Sequence, residues 1–201
     1  MGARLTRRIT ARGVERRNQL VTEATRLFAQ RGYHSTSVAD IVGSLGVGKG
    51  VFYWYFDSKE ALFVHILRTG QQELRRLQDA AIAGETDPIR RIELGLRASI
   101  TWADERPELS QLVQFAANDS LFADRVRRGE EIAVADVAAH LQEAIEAGRI
   151  HHDDPVMLAH AMVGTLGHLY RTFVQGAGRD ATEVADDLVS FCLYGAFGKQ
   201  P

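Results

Sequence analysis

Between Gly48 and Lys59 the chain sets residues suited to holding a polyanion: Gly48, Lys49, Gly50, Val51, Tyr53, Trp54, Tyr55 and Lys59. Lysines bring charge, a tyrosine hydroxyl donates to a phosphate oxygen while its ring stays packed, and glycines let a backbone approach a partner closely. The same stretch runs five rings together, Phe52 to Phe56. If all five were core, the tyrosine hydroxyls would need buried partners and the neighbouring lysines would be out of place. Some of the rings must therefore face outward. Phe52 and Phe56 are four apart and share one helical face, so they are the pair expected inside, with Tyr53, Trp54 and Tyr55 around the rim.

Periodicity predicts helices nearly everywhere and no convincing strand, which makes the fold class all-α. Leu20, Val21, Ala24, Leu27 and Phe28 recur at helical spacing and stop at Gly32 behind Arg31. Ser37 and Asp40 have the spacing of a capping box ahead of Val38, Ile41, Val42 and Leu45. Gly46 ends that short helix, and a third runs from Lys49 to Phe56. Two short helices joined by a tight glycine-containing turn form a helix-turn-helix unit, whose second helix enters the DNA major groove N-terminus first. Asp57 or Ser58 can cap a long fourth helix reaching about Ala83, where AGETDP breaks the pattern.

From Leu20 to Leu62 the order LFAQRGYHSTSVADIVGSLGVGKGVFYWYFDSKEAL resembles the N-terminal domain of the TetR family of transcriptional repressors. The resemblance spans about a fifth of the chain. It implies that Thr36 and Ser37 open the second helix near a phosphate, and that Lys49, Gly50, Tyr53, Tyr55 and Lys59 hold the DNA backbone. Two positions depart from the family pattern. Serine often stands where this chain has Gly48, and threonine where it has Val51, which leaves Val51 an apolar contact such as a thymine methyl. Trp54 can stack on sugar, reach a base edge, or simply stay exposed beside the phosphates.

The resemblance further implies that the remainder is a helical regulatory domain that binds a small-molecule effector and forms a homodimer through its last two helices. Trp102, Phe115, Asn118, Phe122, His140, Met162, Leu166 and Tyr170 fit such a ligand pocket, with ordinary core packing as the alternative for each. The domains expected are 1–60 for DNA binding with a basic arm, 61–83 as a connecting helix, and 84–201 for ligand binding and dimerisation. In the last of these, helices are expected from Pro88, from Leu109 to Ala117, from Leu121 to Ala147, from Val156 to about Gln175 as a central helix, and from Thr182 to about Phe197. Gly164 and Gly167 thin the surface of the central helix, while Phe191, Tyr194 and Gly195 offer a face on the terminal one.

Charge is divided along the chain. Residues 1–60 hold ten Lys/Arg against five Asp/Glu, and residues 61–201 hold fourteen against twenty-one. A basic N-terminal segment suggests a polyanion partner or a solvated face, the resemblance implies that the partner is double-stranded operator DNA, and the arm bearing Arg4, Arg7, Arg8, Arg12, Arg16 and Arg17 either enters a minor groove or is a solvated tail. The single Cys192 and the lack of an apolar secretory segment point to the cytoplasm, and no run is long enough to span a membrane. No cofactor or metal is expected. His151 to Asp154, HHDD, supplies ligand types but adjacent residues cannot converge on one ion, and His160 and His168 are about 80° apart on their helix, where a core or pocket hydrogen bond is expected of each. No catalytic residues are assigned. A metal-dependent helical enzyme and a module binding acidic proteins remain the competing readings.

Overall fold

The computed structural model describes residues 10–195. Among them the elements are α1 (Ala11–Arg31), α2 (Val38–Ser44), α3 (Lys49–Tyr55), α4 (Lys59–Ile82), α5 (Pro88–Glu105), α6 (Pro107–Asn118), α7 (Ala123–Glu146), α8 (Pro155–Leu169), a π-helical turn (Tyr170–Gly176) and α9 (Ala181–Tyr194), with no strand among the described residues. The chain forms two compact units, and the division falls after Thr69, inside α4.

In the first unit the predicted periodicity is realised. Leu20, Ala24, Leu27 and Phe28 of α1 are buried with Ile41 and Val42 of α2, Phe52 of α3, and Leu62, Phe63 and Ile66 of α4. Phe28, Tyr33 and Phe63 form a ring cluster with centroid distances of 5.4, 5.6 and 4.8 Å, within the range of favourable aromatic contacts. The α2 capping box between Ser37 and Asp40 is present. The Ser58 hydroxyl accepts from the Ala61 N–H at 3.0 Å and so opens α4. Thr10 caps α1, which places Arg12, Arg16 and Arg17 on a helix and not in an extended arm. Arg4, Arg7 and Arg8 lie outside the described residues.

The second unit gathers Ile92, Leu96, Ile100 and Trp102 of α5, Val134, Ala138 and Leu141 of α7, Ala159 and Met162 of α8, Tyr170, and Val184, Ala185, Leu188 and Val189 of α9 into one core. Its internal logic is clearest where α5 meets α6. The carbonyl of Ala103 would ordinarily accept from the N–H four residues on, but that residue is Pro107, which has none. Two buried hydroxyls take its place, Tyr170 donating at 2.6 Å and Ser110 at 3.1 Å. The π-helical turn begins at that tyrosine.

Several expectations change here. Asn118 is the last residue of α6, and α7 starts at Ala123 with Phe122 buried at its entry, because Asp119 accepts from the Leu121 N–H and makes the turn. Asp180, not Thr182, caps α9, accepting from the N–H groups of Thr182 and Glu183, and Phe197 lies outside the described residues. The central helix is not buried on all sides. Ala159 and Met162 are inside, while Val156, Met157, His160 and His168 are exposed, so neither histidine makes a core bond.

Tyr170→Phe should leave the Ala103 carbonyl with one donor and cost about 1–2 kcal/mol. Urea unfolding measures it, and a midpoint unchanged from wild type would show that the bond carries no stability.

Candidate nucleic-acid interface

Alone, α3 is too short to be stable, since helices below about 12 residues are marginal in water. Tertiary burial holds it. Phe52 is 0% exposed and packs 5.9 Å from the ring of Phe56, the residue that ends the helix. With that face fixed, the next residues have no choice of direction: Tyr53 is 55% and Trp54 59% exposed, and Tyr55 is half-buried. Lys49 and Gly50 are exposed and Val51 half-buried on the first turn.

The turn before α3 is set by Gly46, whose φ of +63° lies in the left-handed region that a side chain disfavours. Its N–H donates to Gly43 at 3.1 Å, and that of Val47 to Val42 at 3.0 Å. Gly48 and Gly50 are different. Gly48 has an ordinary φ of −81°, and a Cβ built on either would meet no atom within 4 Å. The protein's own packing gives no reason for glycine at these two places.

Thr36 and Lys59 serve the protein first. Thr36 is 1% exposed and its hydroxyl donates to Gly32 O at 2.9 Å, so it offers no hydroxyl to a partner. Lys59 Nζ donates to the carbonyls of Tyr33 and Thr36 at 2.8 and 2.9 Å and lies 4.2 Å from the Tyr33 ring centroid. Partial burial holds its pKa below the ordinary value. An ammonium has three N–H groups, and these two carbonyls take two of them. Ser37 is exposed, with its hydroxyl bonded to Asp40, and that bond lowers the Asp40 pKa.

The family description "Bacterial regulatory proteins, tetR family" matches residues 20–66, which is α1 from Leu20 through the first turns of α4. Along its length the chain is similar to the HTH-type transcriptional regulator YdgC of Bacillus subtilis, 27% identical over 94% of this chain and 96% of the relative. A TetR/AcrR-family regulator structure from Thermobifida fusca superposes with a TM-score of 0.73 at 25% identity, over 90% of this chain and 98% of that one. Residues 20–66 carry the N-terminal domain of the TetR family. The chain is also similar to the repressor AcnR of Corynebacterium diphtheriae, at 24% identity over 87% of this chain and 89% of the relative. TetR-family proteins are DNA-binding transcriptional regulators and not enzymes, and α2 and α3 have the arrangement of a helix-turn-helix pair, in which the second helix is the recognition helix.

The second unit treats the pocket candidates unequally. Trp102, Met162, Leu166 and Tyr170 join one core cluster. Phe115 and buried Phe122 pair at 6.5 Å. Asn118 is exposed and its amide donates to Gln114 O at 2.9 Å, which turns it onto its own helix. His140 is half-buried beside Glu143, and burial followed by the Arg91 charge lowers its pKa. The indole N–H of Trp102 is buried with no acceptor among the described residues. The HHDD run does mechanical work: Asp154 caps α8 by accepting from the Met157 N–H at 2.9 Å, and its own N–H donates to His152 Nδ1. Among the described residues no group of three His, Cys, Asp or Glu side chains could hold a metal, and no helix is long and apolar enough to cross a membrane.

One contact escaped the sequence reading, which put Arg17 in the basic arm and passed over His65. Arg17 Nη2 lies 3.2 Å from His65 Nδ1. The signal was available, since Arg17 is three residues before Leu20 on the buried side of α1.

Lys59→Met should destabilise the first unit by about 1–2 kcal/mol because two carbonyls lose a charged donor. Lys59→Arg, which can still donate to both, should recover part of that loss in chemical denaturation. Equal stability of all three chains would contradict the clamp.

Proposed function

We propose that the chain is a cytoplasmic repressor that binds a palindromic operator as a homodimer and is released by a small apolar or aromatic effector. The outward display of Tyr53, Trp54 and Lys49 by a helix whose Phe52 is fully buried carries this reading. In it, Lys49, Tyr53, Tyr55 and the third N–H of Lys59 hold phosphates, with Ser37 and the backbone at Thr36 near a neighbouring one. Val51 and Trp54 face base edges, and the absence of side chains at Gly48 and Gly50 lets the backbone come close.

Residues up to 60 serve DNA binding, and residues 84–201 serve effector binding and dimerisation. One seven-residue recognition helix touches few base pairs, so a two-fold pair is needed to double the contacts. The apolar residues left exposed on α8 and α9 support that pairing. Val156, Met157, Phe191 and Tyr194 are 43–51% exposed, and a Cβ on Gly164 would meet nothing within 4 Å. A face like this is covered in a stable assembly. The apolar character of Trp102, Met162, Leu166 and Tyr170 supports an apolar effector. Release requires that the effector prefer a conformation in which the two recognition helices no longer match their half-sites, by a few kcal/mol of differential affinity. The uninterrupted helix α4 is the route between the two functions.

Tyr53→Phe and Lys49→Ala should weaken binding to operator and random duplex alike, with Lys49→Ala reducing the salt slope by about 1. Substitution of Val51 or Trp54 should instead change base preference, by about 1–3 kcal/mol at the affected base pair. Equal losses on both duplexes for all four would undo this division of roles.

Phe191→Glu should give a monomer in analytical ultracentrifugation and lower operator affinity by at least about tenfold, since one half-site must then bind alone. A Phe191→Glu chain that remains dimeric places the interface elsewhere.

A further inference from the structure

Arg17 joins three elements of the first unit. Its guanidinium carbon lies 5.0 Å from the centroid of the Phe56 ring, and Phe56 closes the recognition helix. Its Nη2 reaches His65 Nδ1 on α4, and the imidazole in turn meets the Phe56 ring at 5.6 Å. Arginine only donates, so Nδ1 must be the acceptor and the imidazole proton must sit on Nε2. From there it donates toward Thr69 Oγ1 at 3.4 Å. The contact therefore needs a neutral imidazole. The charged groups facing it are Arg17 from α1 and Arg68 from its own helix, while Phe56 meets it from the end of α3. Burial first, and then these two cations, hold the His65 pKa below its ordinary value.

We propose that Arg17 and His65 are positioning residues for the recognition helix, fixing Phe56 from behind, and that the arrangement holds only while His65 is uncharged. A second proton at Nδ1 turns the acceptor into a donor, breaks the bond to Arg17 and leaves two cations against one ring. Because the folded-state pKa is depressed, the stabilisation is complete above the ordinary histidine value of about 6.5 and is lost as pH falls below it. The inference rests on the DNA-binding reading of α3 and adds to it a pair that need not touch DNA.

The test uses the full chain and the duplex that it enriches from a random-sequence pool at about pH 7.5, at constant salt. The quantity read is the ratio of affinities between about pH 7.5 and pH 5.5, which spans the histidine range. Wild type should lose about tenfold more than His65→Asn, whose amide oxygen can accept from Arg17 without titrating. Arg17→Gln should bind less tightly at the higher pH and show the same flattened ratio. In an NMR titration of the wild-type protein, His65 should keep its proton on Nε2 and titrate below the ordinary histidine value. Equal pH ratios for wild type and His65→Asn, or a His65 that titrates at or above the ordinary histidine value, would overturn the proposal and leave DNA binding untouched. Failure to enrich any duplex would overturn both readings.

Discussion

Burial of Phe52 is the constraint from which the proposed DNA-facing surface follows. A seven-residue helix has no stability of its own to spend on orientation, so the side chain that anchors it also decides which residues it presents. With Phe52 fully enclosed and Phe56 closing the last turn, Tyr53 and Trp54 are turned to solvent by the geometry of about 100° per residue. An exposed tyrosine and tryptophan side by side cost hydrophobic free energy in the isolated chain. A partner that covers them recovers it. The glycines at 48 and 50 fit the same account, because the fold does not need them and a closely approaching partner would.

Behind that surface stands a polar framework with little to do with DNA directly. Thr36 and Lys59 tie the α1–α2 turn to the start of α4 through main-chain carbonyls, and Lys59 lies against the Tyr33 ring. Arg17 and His65 do the same service on the other side of Phe56. Two basic residues that look like DNA ligands in the sequence are thus employed, in part, inside the protein. The positive charge of the N-terminal segment overstates the number of phosphate contacts it can make.

What was legible in the sequence was local. The Ser37–Asp40 capping box, the Phe52/Phe56 face and the order of helices depend on residues three or four apart, so spacing reveals them. Lys59 bonding to carbonyls 23 and 26 residues earlier is a product of tertiary folding, and no local pattern announces it. The same holds for Tyr170 reaching the Ala103 carbonyl that Pro107 leaves without its helical donor, though the proline itself was a hint. Composition misled at α8, because apolar residues on most sides of a helix are consistent both with a central position and with a face awaiting a partner. Burial distinguishes the two, and it leaves Val156 and Met157 exposed.

The claim that the Phe52-anchored face is the one that meets DNA can be tested through Trp54. The chain has two tryptophans, so Trp102→Phe leaves Trp54 as the sole reporter. Acrylamide quenching of its emission should fall when the chain is saturated with the duplex it selects, because a ring 59% exposed in the free protein becomes covered. Unchanged quenching at full saturation would mean that DNA binds elsewhere, and the account would be wrong at its root.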